Sequence, residues 1–128
     1  MADAYHHAMS SARKYGGKPE DYLHVHNWFD ESKGMICDFR HRALRHHAEG
    51  IALACTVLGP IVTNSDGRQV PTRWIGEQHV REDFGHIPSF VDWARAIRPV
   101  AWMGSTPELT DEKGDALVDL TGYLGSKL

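Results

Sequence analysis

The chain has 128 residues, of which 41% are hydrophobic and 24% are charged, and its formal net charge is -3 at pH 7. This length fits a single domain, and the weakly acidic charge gives no reason to expect a nucleic-acid partner. No apolar run approaches the roughly 18–20 residues that span a bilayer, and residues 1–7 lack a basic segment followed by an apolar one. We therefore expect a cytoplasmic protein with no membrane partner.

The first half of the chain is predicted to be helical. Asp3 is suited to cap a helix that ends at Gly16, and Pro19 is suited to open a second helix that reaches about Ser32. Residues 37–58 contain no proline and a single glycine, with apolar positions at three- and four-residue spacing. We therefore predict one long helix there, in which the two cysteines lie too far apart to pair.

The second half of the chain begins with a helix-breaking Gly-Pro pair. Residues 61–63 and 69–71 then predict a small β-hairpin around a glycine-containing turn. Helices are expected over 74–84 and from Ser89 to 97. The predicted fold is mainly α, a compact helical domain of about five helices with one small β-hairpin, covering residues 1–104. Residues 105–128 are expected to form a C-terminal extension, helical or partly disordered, that offers an interface for a homo-oligomer.

Nine of the residues are histidines, and their spacing singles out a few. His26 precedes Asp30 and His79 precedes Asp83 by four residues each, so that each pair shares a helix face. His47 falls on the apolar stripe of the predicted long helix, where an unpaired imidazole would be costly. The open alternatives are a backbone or carboxylate partner for His47 and a surface hydrogen bond for each four-residue pair.

Imidazoles and carboxylates that converge from several helices are typical of a metal centre. We predict a divalent transition metal, zinc or iron, with His7, His26, His47 and His79 as its ligands and with Asp30 and Asp83 as the catalytic carboxylates. Either carboxylate can instead be a ligand or can orient an imidazole. Because His6 and His7 are adjacent, at most one of the two is expected to face the centre.

Three arginines lie beside histidines in the segment 39–47, at positions 40, 42 and 45. Their positive charge favours a phosphate or carboxylate substrate next to the metal. The alternative is a solvated face on which Asp38 and Glu49 neutralise them.

Three segments carry a resemblance to a known family: 22–33 (YLHVHNWFDESK), 39–51 (FRHRALRHHAEGI) and 75–83 (IGEQHVRED). They resemble a family of small uncharacterised proteins from bacterial and phage genomes. The resemblance covers most of residues 1–104 and implies one recurring domain, without implying a reaction.

Two functions from different classes follow. One is a metal-dependent hydrolase that acts on a small anionic substrate, in which the metal activates water. The other is a non-enzymatic oligomeric binding or phage accessory module, in which the histidines make structural hydrogen bonds. A third hypothesis is a protein that responds to pH through the titration of its histidines.

Overall fold

The structure is a computed structural model that describes residues 3–104, so the predicted C-terminal extension lies outside the described residues. Within this part of the chain, the predicted mainly α fold with five helices and one hairpin is confirmed. The helices are α1 (Ala4–Tyr15), α2 (Leu23–Asp30), α3 (Ala48–Leu58), α4 (Thr72–Phe84) and α5 (Phe90–Ala94), and the strands are β1 (Ile61–Thr63) and β2 (Gln69–Pro71).

Helix α1 has the ends that its sequence predicts. The Asp3 side chain accepts a hydrogen bond from the His6 N–H, which satisfies one of the free donors at the N-terminus. At the other end Gly16 has a φ of 86° and donates its N–H to the Ala12 carbonyl. The buried face of α1 carries His7 and Ser11, which lie one turn apart.

Helix α2 is preceded by a 3₁₀ turn at Pro19–Asp21 and followed by another at Glu31–Gly34. It packs against α1 on one side and α4 on the other. Its buried residues include His26 and Phe29, and its last residue is Asp30. The predicted second helix is therefore shorter than expected, and its end carries a carboxylate that the sequence singles out.

The predicted long helix over 37–58 is wrong. The chain makes a 3₁₀ turn at Phe39–Ala43, and α3 starts only at Ala48. His47 caps α3, because its Nδ1 atom accepts the Gly50 N–H at 2.9 Å. The incoming chain passes so close that a Cβ on Gly50 would lie 1.9 Å from the Arg45 carbonyl oxygen. Only glycine fits there.

The hairpin is confirmed with antiparallel strands, and Val62 pairs with Val70 at its centre. It leads directly into α4, which packs against α2 and α3. Gly76 permits the close approach, since a Cβ there would lie 3.0 Å from the Phe29 Cζ atom and 3.3 Å from the Ile51 Cγ2 atom. One turn further along, α4 presents His79 and then Asp83 to the same neighbours.

The chain divides into two units, Met1–Phe90 and Val91–Leu128, of which the structure describes 3–90 and 91–104. A cluster of buried apolar side chains fills the first unit, with Tyr22, Phe29 and Ile75 the largest fully buried ones. The described part of the second unit contains most of α5 and a 3₁₀ turn at Ala101–Met103. Among the described helices, none is both long and apolar enough to cross a membrane.

Candidate metal centre

Four donor groups from three separate segments meet inside the first unit. Asp30 ends α2, His46 lies in the bend just before α3, and His79 and Asp83 are one turn apart on α4. One donor atom from each of the four residues lies within 4.8 Å of the others. The contacts of α4 with α2 and α3 are what bring these segments together.

The spacing of the four donor atoms is that of a coordination shell. The Nε2 atoms of His46 and His79 are 3.1 Å apart. His46 Nε2 lies 3.3 Å from both Asp30 Oδ1 and Asp83 Oδ2, and His79 Nε2 lies 3.4 Å from the same two oxygens. In a tetrahedral site with bonds of about 2.0–2.1 Å, neighbouring ligand atoms lie about 3.3–3.4 Å apart. The four atoms can therefore surround one ion.

The two carboxylates are buried to different degrees and both stay ionised. The side chain of Asp30 is 12% exposed and that of Asp83 is 3% exposed. Burial raises the pKa of each carboxyl, but contacts with histidines, above all His46, outweigh it and hold both pKa values well below the usual range. Two buried negative charges this close need positive partners, which a bound cation supplies.

Two basic side chains lie beside the other carboxylate oxygen of Asp83, Oδ1. His7 Nε2 lies 3.2 Å from Asp83 Oδ1, and Arg42 Nη2 lies 3.5 Å from the same oxygen. The other ring nitrogen of His7 is 2.8 Å from Glu82 Oε1. Burial lowers the pKa of His7, but Asp83 and Glu82 outweigh it, so that the pKa is raised overall. His7 therefore orients Asp83 and balances its charge.

A second histidine group adjoins the first and shares His79. His26 Nδ1 lies 2.9 Å from His79 Nδ1, and His26 Nε2 lies 2.8 Å from Ser11 Oγ. His7 completes the group, with its ring 4.0 Å from that of His79 between centroids. Burial, together with nearby His79 and His7, lowers the pKa of His26 to about 2, so this ring stays neutral.

The structure divides the predicted site residues into three sets. Asp30, Asp83 and His79 contribute donor atoms to the four-atom cluster, and His7 and His26 belong to the adjoining group. His47 belongs to neither, because its ring nitrogens contact the Gly50 N–H and the Ala43 carbonyl. His47 therefore has backbone partners, which was one of the two alternatives to a metal for this residue.

His46 contributes a donor atom to the cluster, although the sequence did not single it out as a site residue. A continuous helix over 37–58 would place His47 on the inward face, whereas in the bend before α3 both rings are buried and His46 is the one that reaches the cluster. The sequence does contain one signal for a helix that starts near residue 48, which is Glu49 followed by Gly50. An acidic residue is typical of the first turn of a helix.

The three arginines of segment 39–47 have different partners. Arg40 forms an exposed ion pair with Asp38, as the solvated-face alternative holds. Arg45 lies over the ring of Trp28, 4.1 Å from its centroid. Only Arg42 among the three reaches the four-atom cluster within the described residues, through Asp83.

Comparison with known proteins gives one match. The family model of a domain of unknown function, DUF6915, matches residues 2–103. No curated protein and no solved structure matches the chain significantly. The matched range contains all four donor residues and the histidine group beside them. The chain therefore belongs to the DUF6915 family.

Proposed function

We propose that this protein is a metal-dependent hydrolase that acts on a small anionic substrate. One divalent transition metal, zinc or iron, would be held by Asp30, His46, His79 and Asp83. The observation that carries the proposal is the set of five distances between 3.1 and 3.4 Å among the four donor atoms. Those distances are close to the edges of a tetrahedron around one ion.

The donor chemistry supports the choice of metal. Two imidazoles and two carboxylates suit zinc and non-haem iron, whereas copper(I) and iron–sulfur clusters require thiolate or thioether ligands. The described cysteines are in neither cluster: Cys37 is exposed and Cys55 is half-buried, and both are free thiols. Zinc and iron are therefore the ions to test first.

The side of the cluster at Asp30 is where we place substrate. Asp30 is the more exposed of the two carboxylates, at 12% against 3%, and its Oδ2 atom is buried with no hydrogen-bond partner among the described residues. Lys33 Nζ lies 3.8 Å from that oxygen. Lys33 beside Asp30 and Arg42 beside Asp83 would supply the positive charge that favours the approach of an anionic substrate.

The roles of the chain's own residues follow from these positions. When bound, a divalent metal supplies a Lewis acid that makes water a nucleophile near neutral pH. Asp30 stays ionised, so its Oδ2 atom would be the proton acceptor nearest to a water activated in this way. Lys33 and Arg42 would hold the anionic part of the substrate.

Metal analysis of protein purified without an affinity tag tests the site. We expect about one zinc or iron per chain in the wild type and less than about 0.2 in Asp83→Asn and His46→Gln. His47→Asn is the matched control, since it changes the neighbouring buried histidine outside the cluster and should keep the metal. A wild-type content below about 0.2 per chain after incubation with either metal would overturn the proposal.

Assay of the metal-loaded protein tests the reaction. Phosphate monoesters, phosphate diesters and carboxylate-bearing esters cover the anionic substrates. Lys33→Ala should raise KM for the substrate that is cleaved with little change in kcat, because Lys33 contributes binding and not chemistry. No cleavage of any of these by loaded protein would contradict the hydrolase and leave the metal site standing.

The second candidate is a structural metal in a non-enzymatic module. The observation that favours it is that four protein donors already complete a tetrahedral shell, as in structural zinc sites. Cobalt substitution separates the two. Added azide or phosphate should change the visible spectrum of the cobalt protein if a position is open to substrate, and should leave it unchanged if the shell is closed.

A further inference from the structure

A chain of buried hydrogen bonds leads from the surface of α4 to the candidate metal ligand His79. Its members, in order, are Glu82, Gln78, Ser11, His26 and His79. All but Glu82 are buried. Because donors and acceptors must alternate along such a chain, fixing the direction at one end fixes every proton in it.

The direction is fixed at Gln78. Its Nε2 atom lies 3.0 Å from the His7 carbonyl oxygen and 3.0 Å from Glu82 Oε1. Both partners can only accept, so the amide nitrogen must face them and donate both of its hydrogens. The Gln78 Oε1 atom is therefore left to accept the Ser11 hydroxyl proton, across 2.7 Å.

The next two bonds carry that direction into the histidines. The Ser11 hydroxyl faces two groups that can only accept, Gln78 Oε1 and the more distant His7 carbonyl at 3.2 Å, so its one proton is used there. The Ser11 oxygen must then accept from His26 Nε2, 2.8 Å away. His26 is fully buried, and the described partners of its ring nitrogens are a hydroxyl and an imidazole, so no carboxylate offsets a charge on the ring. The ring is therefore neutral with one proton, and its Nδ1 atom is an acceptor. His79 must then donate from its own Nδ1 atom across 2.9 Å, which leaves the lone pair of His79 Nε2 facing the four-atom cluster.

We propose that Ser11, Gln78 and His26 are positioning residues that hold His79 in the tautomer whose Nε2 atom can bind the metal. The inference rests on the proposed metal site and adds to it a cause for the ligand's protonation state. In the opposite tautomer, an N–H would point at the ion and block the bond. A metal-binding histidine commonly donates its other N–H to a fixed acceptor in this way.

The same geometry argues against a second ion between His7, His26 and His79. The 2.9 Å separation of the two Nδ1 atoms is the length of a hydrogen bond and is short for two ligands of one ion. A second ion there would also require His79 to lose both of its ring protons. One metal per chain is the expected stoichiometry.

The test measures ring protonation and metal affinity on the same full-length protein. Long-range proton–nitrogen correlation of the 15N-labelled, metal-free protein should show protonated His79 Nδ1 and His26 Nε2, with the other nitrogen of each ring unprotonated. Ser11→Ala should mix the two tautomers and weaken zinc affinity about 10–100-fold. Ser11→Thr keeps the hydroxyl and should restore both readouts.

Ser10→Ala is the matched control, because Ser10 lies on the same helix and donates to Glu82 Oε2, whereas the chain of bonds uses Glu82 Oε1. It should leave the tautomers and the zinc affinity unchanged. The reverse protonation pattern in the wild type, or unchanged zinc affinity in Ser11→Ala, would overturn the positioning role and leave the metal site intact. A wild type that shows the expected pattern but binds no metal would overturn the proposed function, and with it this inference.

Discussion

His46 and His79 direct their Nε2 atoms at each other across 3.1 Å, although 33 residues separate them in the chain. Both rings are fully buried, and both atoms lie beside carboxylate oxygens of Asp30 and Asp83. Two facing imidazole nitrogens cannot both present lone pairs without a proton or a cation between them.

Metal should stabilise the fold, because the four donors converge only in the folded chain. At a free metal concentration 100 times Kd, the expected gain in the free energy of unfolding is about 2.7 kcal/mol. Thermal unfolding with added zinc and with a chelator measures it. Asp30→Asn should abolish most of the gain, and an equal gain in that variant would contradict the assignment of Asp30 as a ligand.

Asp83→Asn should lower the free energy of unfolding of the metal-loaded protein by about 3–5 kcal/mol, as breaking a buried charge pair does. The loss should be smaller in chelator, where removing one of two close carboxylates also removes their repulsion. Urea unfolding in both conditions tests this. An equal loss with and without metal would show that Asp83 is purely structural.

Stability should depend on pH through His47. Burial lowers the pKa of His47, so the unfolded chain takes up this proton at a higher pH than the folded chain does. The contribution is therefore present above the unfolded pKa of about 6.5 and is lost as the pH falls below it, at up to about 1.4 kcal/mol per pH unit. His47→Asn keeps a capping side chain without a titrating group.

The measurement for His47 is the difference between wild type and His47→Asn in urea unfolding from pH 8 to 5, with chelator present. Other titrating groups are common to both proteins and cancel. The wild type should lose stability faster than the variant on acidification. Parallel curves would show that the cap does not depend on a neutral ring.

Gly76→Ala should push α4 away from α2, because the new Cβ would meet Phe29 at 3.0 Å. We expect a loss of about 1–3 kcal/mol in stability despite the better helix propensity of alanine, and weaker metal binding because His79 moves with α4. Gly34→Ala is the control, since no atom lies within 4 Å of its added Cβ. Equal stability of the two variants would contradict the close packing.

The elements that were predicted correctly depend on local sequence signals. The cap at Asp3, the hairpin and α4 each depend on residues within one or two turns of chain. The start of α3 depends instead on how the chain before Gly50 folds back against it. The spacing of apolar residues carries no information about that contact. Because the predicted long helix was wrong, the donor role was assigned to His47, although both rings are buried and His46 is the one in the cluster.

The candidate site shows the same division. The spacing of His79 and Asp83 predicts that they share a face, and they contribute two donors to one cluster. The spacing of His26 and Asp30 is identical, yet only Asp30 is in that cluster. Spacing assigns a helix face, whereas the role of each ring depends on partners from other helices, here Ser11 on α1.

The segment between Asp30 and His46 contains two 3₁₀ turns and no α-helix within the described chain. An ion bound to both residues would close this segment into a loop in the folded chain and would oppose its local opening. Metal occupancy would thus act as a reversible cross-link. Protease cleavage between residues 31 and 45 would report the state of the site without any knowledge of its substrate.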